Sequence, residues 1–163
     1  MQLKKKIRII ILIFALALTL GFIWGNSLKP VRASLESSGG LFDRVKPIFD
    51  ALFGEGNFKH SDFRKLAHFC EFFLLGFEVS LLFLELNWLK IEKAYQLSTV
   101  GLIISVIDES LQMITDRGPA IIDVLVDCSG YLSAVLFICF ISLIVSVVKN
   151  KRKNKNKKEK VVP

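Results

Sequence analysis

Cysteine is scarce in this chain. Cys70, Cys128 and Cys139 are the three among 163 residues, each lies inside an apolar run, and no spacing between them suits a zinc site or a secreted disulfide framework. They read as buried, small apolar side chains. A glycine-rich phosphate loop, a zinc-protease helix and a nucleophile elbow are missing too, which removes the usual sequence signatures of nucleotide, peptide and ester hydrolysis. No internal repeat is evident. An excess of positive charge is missing from most of the chain as well. The net charge of +7 is matched by residues 149–160 alone, where eight Lys and Arg face a single acid, Glu159. The basic composition is therefore that of a polybasic flank beside a membrane, and it excludes a nucleic-acid-binding surface as the reading of the whole protein.

Apolar length is what the chain has in abundance. With 52% hydrophobic residues and a mean hydropathy of +0.49, it is neither disordered nor an ordinary soluble domain. Four runs, residues 7–24, 66–84, 97–114 and 121–148, approach or exceed the roughly 20 residues that cross about 30 Å of hydrocarbon. The expectation is an all-α integral membrane bundle of four transmembrane helices over residues 1–148, followed by a basic tail, residues 149–163. The first run follows Lys4, Lys5, Lys6 and Arg8 and ends at Trp24, an interfacial anchor, so it reads as a retained helix in preference to a cleaved signal peptide. Bases cluster at the N-terminus, in the tail, and at Lys90 and Lys93 between the second and third runs. The positive-inside rule puts all three in the cytoplasm, with both termini, and leaves residues 25–65 and 115–120 outside.

The long outer segment carries its own pattern. Leu41, Phe42, Val45, Ile48, Phe49, Leu52 and Phe53 repeat with the period of one helical face, while Asp43, Arg44, Lys46 and Asp50 fall elsewhere. This predicts an outer amphipathic helix over residues 41–53, interfacial or re-entrant. Ser37, Ser38, Gly39 and Gly40 before it and Gly54 to Asn57 after it are expected breaks, and Pro47 is expected to kink or restart it.

Within the last three runs stand six carboxylates, Glu71, Glu78, Asp108, Glu109, Asp123 and Asp127, with no Lys or Arg beside them in those runs. Burying such groups in a membrane is costly, about 2.5 to 3.5 kcal/mol for an aspartate at mid-membrane, so they are functional candidates. At 1.5 Å per residue Glu71, Asp108, Glu109 and Asp127 lie at one depth, roughly 8 to 9 Å below the outer ends of their helices. His68, Gln112 and Asp123 form a shallower level, with Arg64, Lys65 and Arg117 at the rim. The helical spacing turns these groups onto common faces, which implies an outward-facing polar pocket between the second, third and fourth helices. Compensation for its negative charge is expected from the rim bases, a bound metal, protonation or water. His68 and Glu71 read as metal ligands or an acid–base pair, or as members of an interhelical hydrogen-bond network. Only one of the adjacent Asp108 and Glu109 can point fully at a given centre. Arg117 reads as an anion clamp or as the partner of Asp123, Glu78 as an inward extension of a proton path or as a neutral, hydrogen-bonded carboxyl within the bundle, and Gly130 with Ala134 as a helix-packing pair.

Two blocks carry a family resemblance. Lys65-x-x-His68-Phe69-x-Glu71-Phe72-x-x-Leu75-Gly76, and Asp108-Glu109-x-x-Gln112 followed by Arg117 and Asp123-x-x-x-Asp127-x-x-Gly130, together resemble the VanZ family of small bacterial membrane proteins linked to teicoplanin resistance. The resemblance covers most of the chain up to about residue 148. The chain departs from the family pattern at Phe72, where Tyr is usual, at Asp127, where Asn is usual, and at Ala134, where Gly is common. The resemblance implies a multipass protein of the bacterial cell membrane, associated with reduced glycopeptide or lipoglycopeptide susceptibility. On the residues themselves the expected site binds or modifies the headgroup of an outer-leaflet lipid or lipid-linked cell-wall precursor. His68, Glu71, Asp108 and Glu109 are its reactive candidates, and Lys65, Gln112, Arg117, Asp123 and Asp127 its binding groups. The expected partners are membrane lipids, a lipid-linked wall precursor or a lipoglycopeptide, and no nucleic acid. The sequence identifies no cofactor, metal or oligomeric state. A proton-coupled permease using the same cavity and a non-catalytic envelope scaffold are the competing readings.

Overall fold

The computed structural model describes residues 2–87, 93–115 and 120–159, with the backbone alone at residue 94 and residues 153–159. Five helices follow one another: α1 (Gln2–Ser27), α2 (Val31–Phe53), α3 (His60–Glu85), α4 (Ala94–Ile114) and α5 (Ile121–Glu159). Among the described residues there is no strand. Four helices, α1 and α3 to α5, are long and apolar enough to cross a membrane, and α2 is the amphipathic helix.

Helix α3 is the hub. It packs most extensively on α5, then on α1, and touches α2 and α4. The α3–α5 seam is close because glycines line it. A Cβ on Gly76 would meet the backbone carbonyl oxygen of Tyr131 at 2.5 Å, and one on Gly130 would strike the carbonyl oxygen of Phe69. Small residues that let backbones approach are what hold helices together where lipid offers no hydrophobic contrast. Gly101 of α4 does the same for a side chain, since a Cβ there would run into the Tyr131 ring. Around this crossing Ile23, Phe72, Leu75, Val79, Leu97, Tyr131 and Val135 form the buried apolar core. Hydroxyls inside the bundle bond back to their own helices, Ser80 to the Gly76 carbonyl at 2.7 Å and Ser105 to that of Gly101 at 3.0 Å.

Most apolar side chains point away from the core. Ile11, Phe14, Leu18 and Phe22 on α1, and Leu136, Phe140 and Leu143 on α5, are exposed, as helices surrounded by hydrocarbon require. The same solvent corrects the reading of the cysteines. Cys70 is exposed on the bundle surface and Cys128 and Cys139 are half-buried, all as free thiols, because an apolar side chain in lipid gains little by moving inward.

Element boundaries depart furthest from the expectation in three helices. Helix α3 begins at His60, six residues early, with the Asp62 carboxylate accepting the Lys59 N–H at 2.9 Å to hold its first turn. Helix α2 begins at Val31 and runs through Ser37 to Gly40 and through Pro47 without a break. The Ser38 hydroxyl donates to the Ser34 carbonyl at 2.7 Å, so the serines join the helix instead of ending it. The break after residue 53 does form, with Gly54 and Gly56 at φ of 89° and 74°, a region that favours glycine. Helix α5 continues as helix to Glu159, well past residue 148. At its opposite end the bundle is tied by Arg8 of α1, whose Nε and Nη2 reach the two carboxylate oxygens of Glu85 on α3 at 2.8 and 3.1 Å. Lys90, Glu92, Arg117, Gly118, Pro119 and Lys160 lie outside the described residues.

Candidate functional site

The end of the bundle where α1 stops and α3 and α5 start gathers polar side chains from four helices. Asp108 of α4 is at its centre and fully buried. The Ser27 hydroxyl, from the last turn of α1, donates to its Oδ1 at 2.6 Å, and Gln112, one turn along α4, donates to its Oδ2 at 2.9 Å. Thr115 closes this corner, its hydroxyl donating to the Gln112 carbonyl at 2.8 Å and reaching that of Ser27 at 3.3 Å. From α3, the His68 Nδ1 stands 3.5 Å from Asp127 Oδ1 and 3.9 Å from Asp108 Oδ2. Asp127 of α5 is 1% exposed, yet neither of its oxygens has a hydrogen-bond partner, and the buried His68 Nδ1 has none either.

The two expected levels are thus rearranged. Counted from His60 instead of residue 66, His68 lies about 9 Å deeper along α3, which brings it to the level of Asp108 and Asp127. Glu71, about one turn further along α3, lines a cavity that His68 also lines. Glu109 leaves the cluster altogether. Its Oε1 accepts the backbone N–H of Ala120 at 2.6 Å, placing a carboxylate at the start of α5, where the helix dipole favours it. Glu78 is hydrogen-bonded within the bundle as anticipated, accepting from the Thr19 hydroxyl of α1 at 3.1 Å.

Two cavities open above the cluster. One, of about 140 Å³, is lined by Ser61, Arg64, Lys65, His68, Asp123 and Val126. The other, of about 270 Å³, lies among α1, α2 and α3; its polar lining includes Asn26, Lys29, Ser34, Arg64, His68 and Glu71, and its apolar lining Phe22, Leu41, Phe63 and Ala67. Arg64 and His68 line both. Helix α2 is held over this end by Phe42, whose ring meets Phe58, His60 and Phe63 at centroid distances of 6.4, 5.4 and 5.7 Å, and by Ser38 and His60, whose Oγ and Nε2 are 2.9 Å apart.

Four candidates, His68, Asp108, Gln112 and Asp127, therefore meet at one centre. Lys65, Glu71 and Asp123 line the cavities beside it, Glu109 faces α5, and Arg117 lies outside the described residues. The VanZ/LLP1 family model matches residues 7–145. The chain belongs to the VanZ/LLP1 family. No curated protein and no solved structure matches it. In this VanZ/LLP1 protein the sequence reading missed the contribution of α2 and of Asn26, Lys29 and Ser34 to a cavity wall. Its one available signal was the run of polar residues between the first apolar run and residue 41. No sequence signal pairs Ser27 with Asp108, 81 residues away.

Proposed function

We propose that this VanZ/LLP1 protein binds or modifies the anionic headgroup of an outer-leaflet lipid or lipid-linked cell-wall precursor in a bacterial membrane, and thereby reduces susceptibility to teicoplanin-type glycopeptides. The observation that carries the reading is the pair of cavities joined at Arg64 and His68, basic at the rim, polar at the base and apolar along one wall. A headgroup needs that combination. Arg64, Lys65 and Lys29 supply positive charge for a phosphate or carboxylate, the Phe22, Leu41 and Phe63 wall suits the first carbons of an acyl or polyprenyl chain, and His68, Asp123 and Glu71 supply selective polar contacts. The fully buried Ile23, Phe72, Leu75 and Tyr131 lie beneath, which favours a blind site over the permease reading. Both termini are cytoplasmic in this proposal, so that the site faces outward.

The test is paired. Arg64→Ala combined with Lys65→Ala should weaken headgroup binding by about tenfold or more, the scale of losing a charge-assisted hydrogen bond, and should return an expressing strain to its unprotected teicoplanin susceptibility at unchanged membrane levels. Full protection by the double variant would reject the proposal.

A further inference from the structure

We infer that His68, Asp108 and Asp127 form a binding site for a divalent cation of zinc's ligand preference, held by three protein ligands with its remaining position open toward the two cavities.

Three helices present the three ligand atoms. One nitrogen from His68 and one oxygen from each aspartate lie within 4.8 Å of one another, and the two measured separations from Nδ1, 3.5 and 3.9 Å, are close to the edge of a coordination tetrahedron. For bonds of 2.0 to 2.2 Å that edge is about 3.4 Å, so the two separations from Nδ1 need close by no more than about 0.5 Å, and the aspartate oxygens, within 4.8 Å of each other, draw together around the ion. Independent support comes from what is unsatisfied. Asp127 is 1% exposed, and apart from the 3.5 Å contact between them its oxygens and the His68 Nδ1 lack hydrogen-bond partners, a combination expensive to bury around a neutral ring unless something binds there. Among the described residues the basic group within ion-pair distance of these aspartates is the His68 ring alone. With that ring neutral, as a ligand must be, the two carboxylates match a divalent charge.

Asp108 is also oriented as a ligand would be. Ser27 and Gln112 each hold one of its oxygens, the outer support that fixes ligating carboxylates. His68 alone of the three lines the cavities, and the proposed open position lies on the side of its ring, toward the cavities that Arg64 also lines. Three protein ligands with an open position is the arrangement of zinc sites that engage water or substrate. The inference deepens the headgroup proposal and rests on it for one point, that a phosphate oxygen completes the ion's shell.

The experiment uses the full chain purified in detergent, stripped with a chelator and reloaded with Zn²⁺ alone. Elemental analysis after gel filtration should find one zinc per chain, and X-ray absorption should show one imidazole nitrogen among oxygens. Asp127→Asn, which keeps the side-chain shape, and His68→Ala should each weaken binding by more than about 100-fold while eluting as folded, monodisperse protein. His60→Ala, removing the other histidine, should retain the metal. No zinc on the wild type, or equal retention by all three variants, overturns the site. Glycerol phosphate then separates the two proposals. Tighter glycerol phosphate binding in the zinc-loaded protein supports both. Zinc without phosphate binding overturns the headgroup proposal and leaves the metal site standing. Phosphate binding indifferent to zinc overturns the open position and leaves the headgroup proposal standing.

Discussion

Asp108 and Glu109 are chemically alike and adjacent, yet they do different work. The 100° step of the helix sends Asp108 into the centre, where Ser27 and Gln112 grip it, and Glu109 toward Ala120 at the start of α5. Glu109→Ala should therefore cost about 1 to 3 kcal/mol by stranding a backbone N–H, while Glu109→Gln, whose carbonyl can accept the same bond, should recover most of it. Thermal unfolding of the two variants in one detergent measures the difference. A Gln variant as weak as the Ala variant would show that the charge at the α5 terminus matters more than the hydrogen bond. Residue type and approximate depth were legible in the sequence at this scale, and the choice between the neighbours was not, because it depends on the rotation of α4 against partners far along the chain. His68 shows the same limit through length. Its depth was counted from the first apolar residue, whereas α3 starts in the polar residues before it.

At the level of the helices, hydropathy marked the spans because the membrane selects long apolar segments, and periodicity marked α2 because its apolar residues share one side. The polar extensions of α2 and α3 were hidden for a common reason: backbone hydrogen bonding carries a helix past the end of its apolar run when side chains such as Ser38 and Asp62 satisfy the local groups. Helix α2 touches the rest of the protein sparingly, with Phe42 its buried side chain and Ile48 and Leu52 widely exposed. Phe42→Ala should loosen α2 as a unit, by about 3 kcal/mol on the scale of aromatic truncations. Hydrogen exchange should then rise along α2 and stay unchanged in α4 and α5. Uniformly increased exchange would mean that the aromatic cluster holds the whole bundle together instead.

For the molecule as a whole, the proposed placement of both termini in the cytoplasm rests on four helices long and apolar enough to span, an even number, and on the Lys and Arg content of the two ends. In a variant without native thiols, a membrane-impermeant maleimide added to intact cells should label cysteine placed at Gly56 and leave cysteine at Asn150 unlabelled; the reverse pattern inverts the orientation. Four crossings were countable from the sequence, but the order of packing was not, since it is decided by where backbones can touch. That contact has a mechanical meaning. Residues 130 and 131 of α5 lodge between Phe69 and Gly76 of α3, with peptide groups and not side chains in opposition, so a slide of one residue would drive a Cβ into a carbonyl. The joint works like a key in a keyway. It indexes α3 against α5 one residue from His68 and three from Asp127, which frees the polar atoms from having to hold the helices in register. A socket indexed this way keeps its shape whether filled, emptied or rewired, and can exchange its occupant without rebuilding its walls.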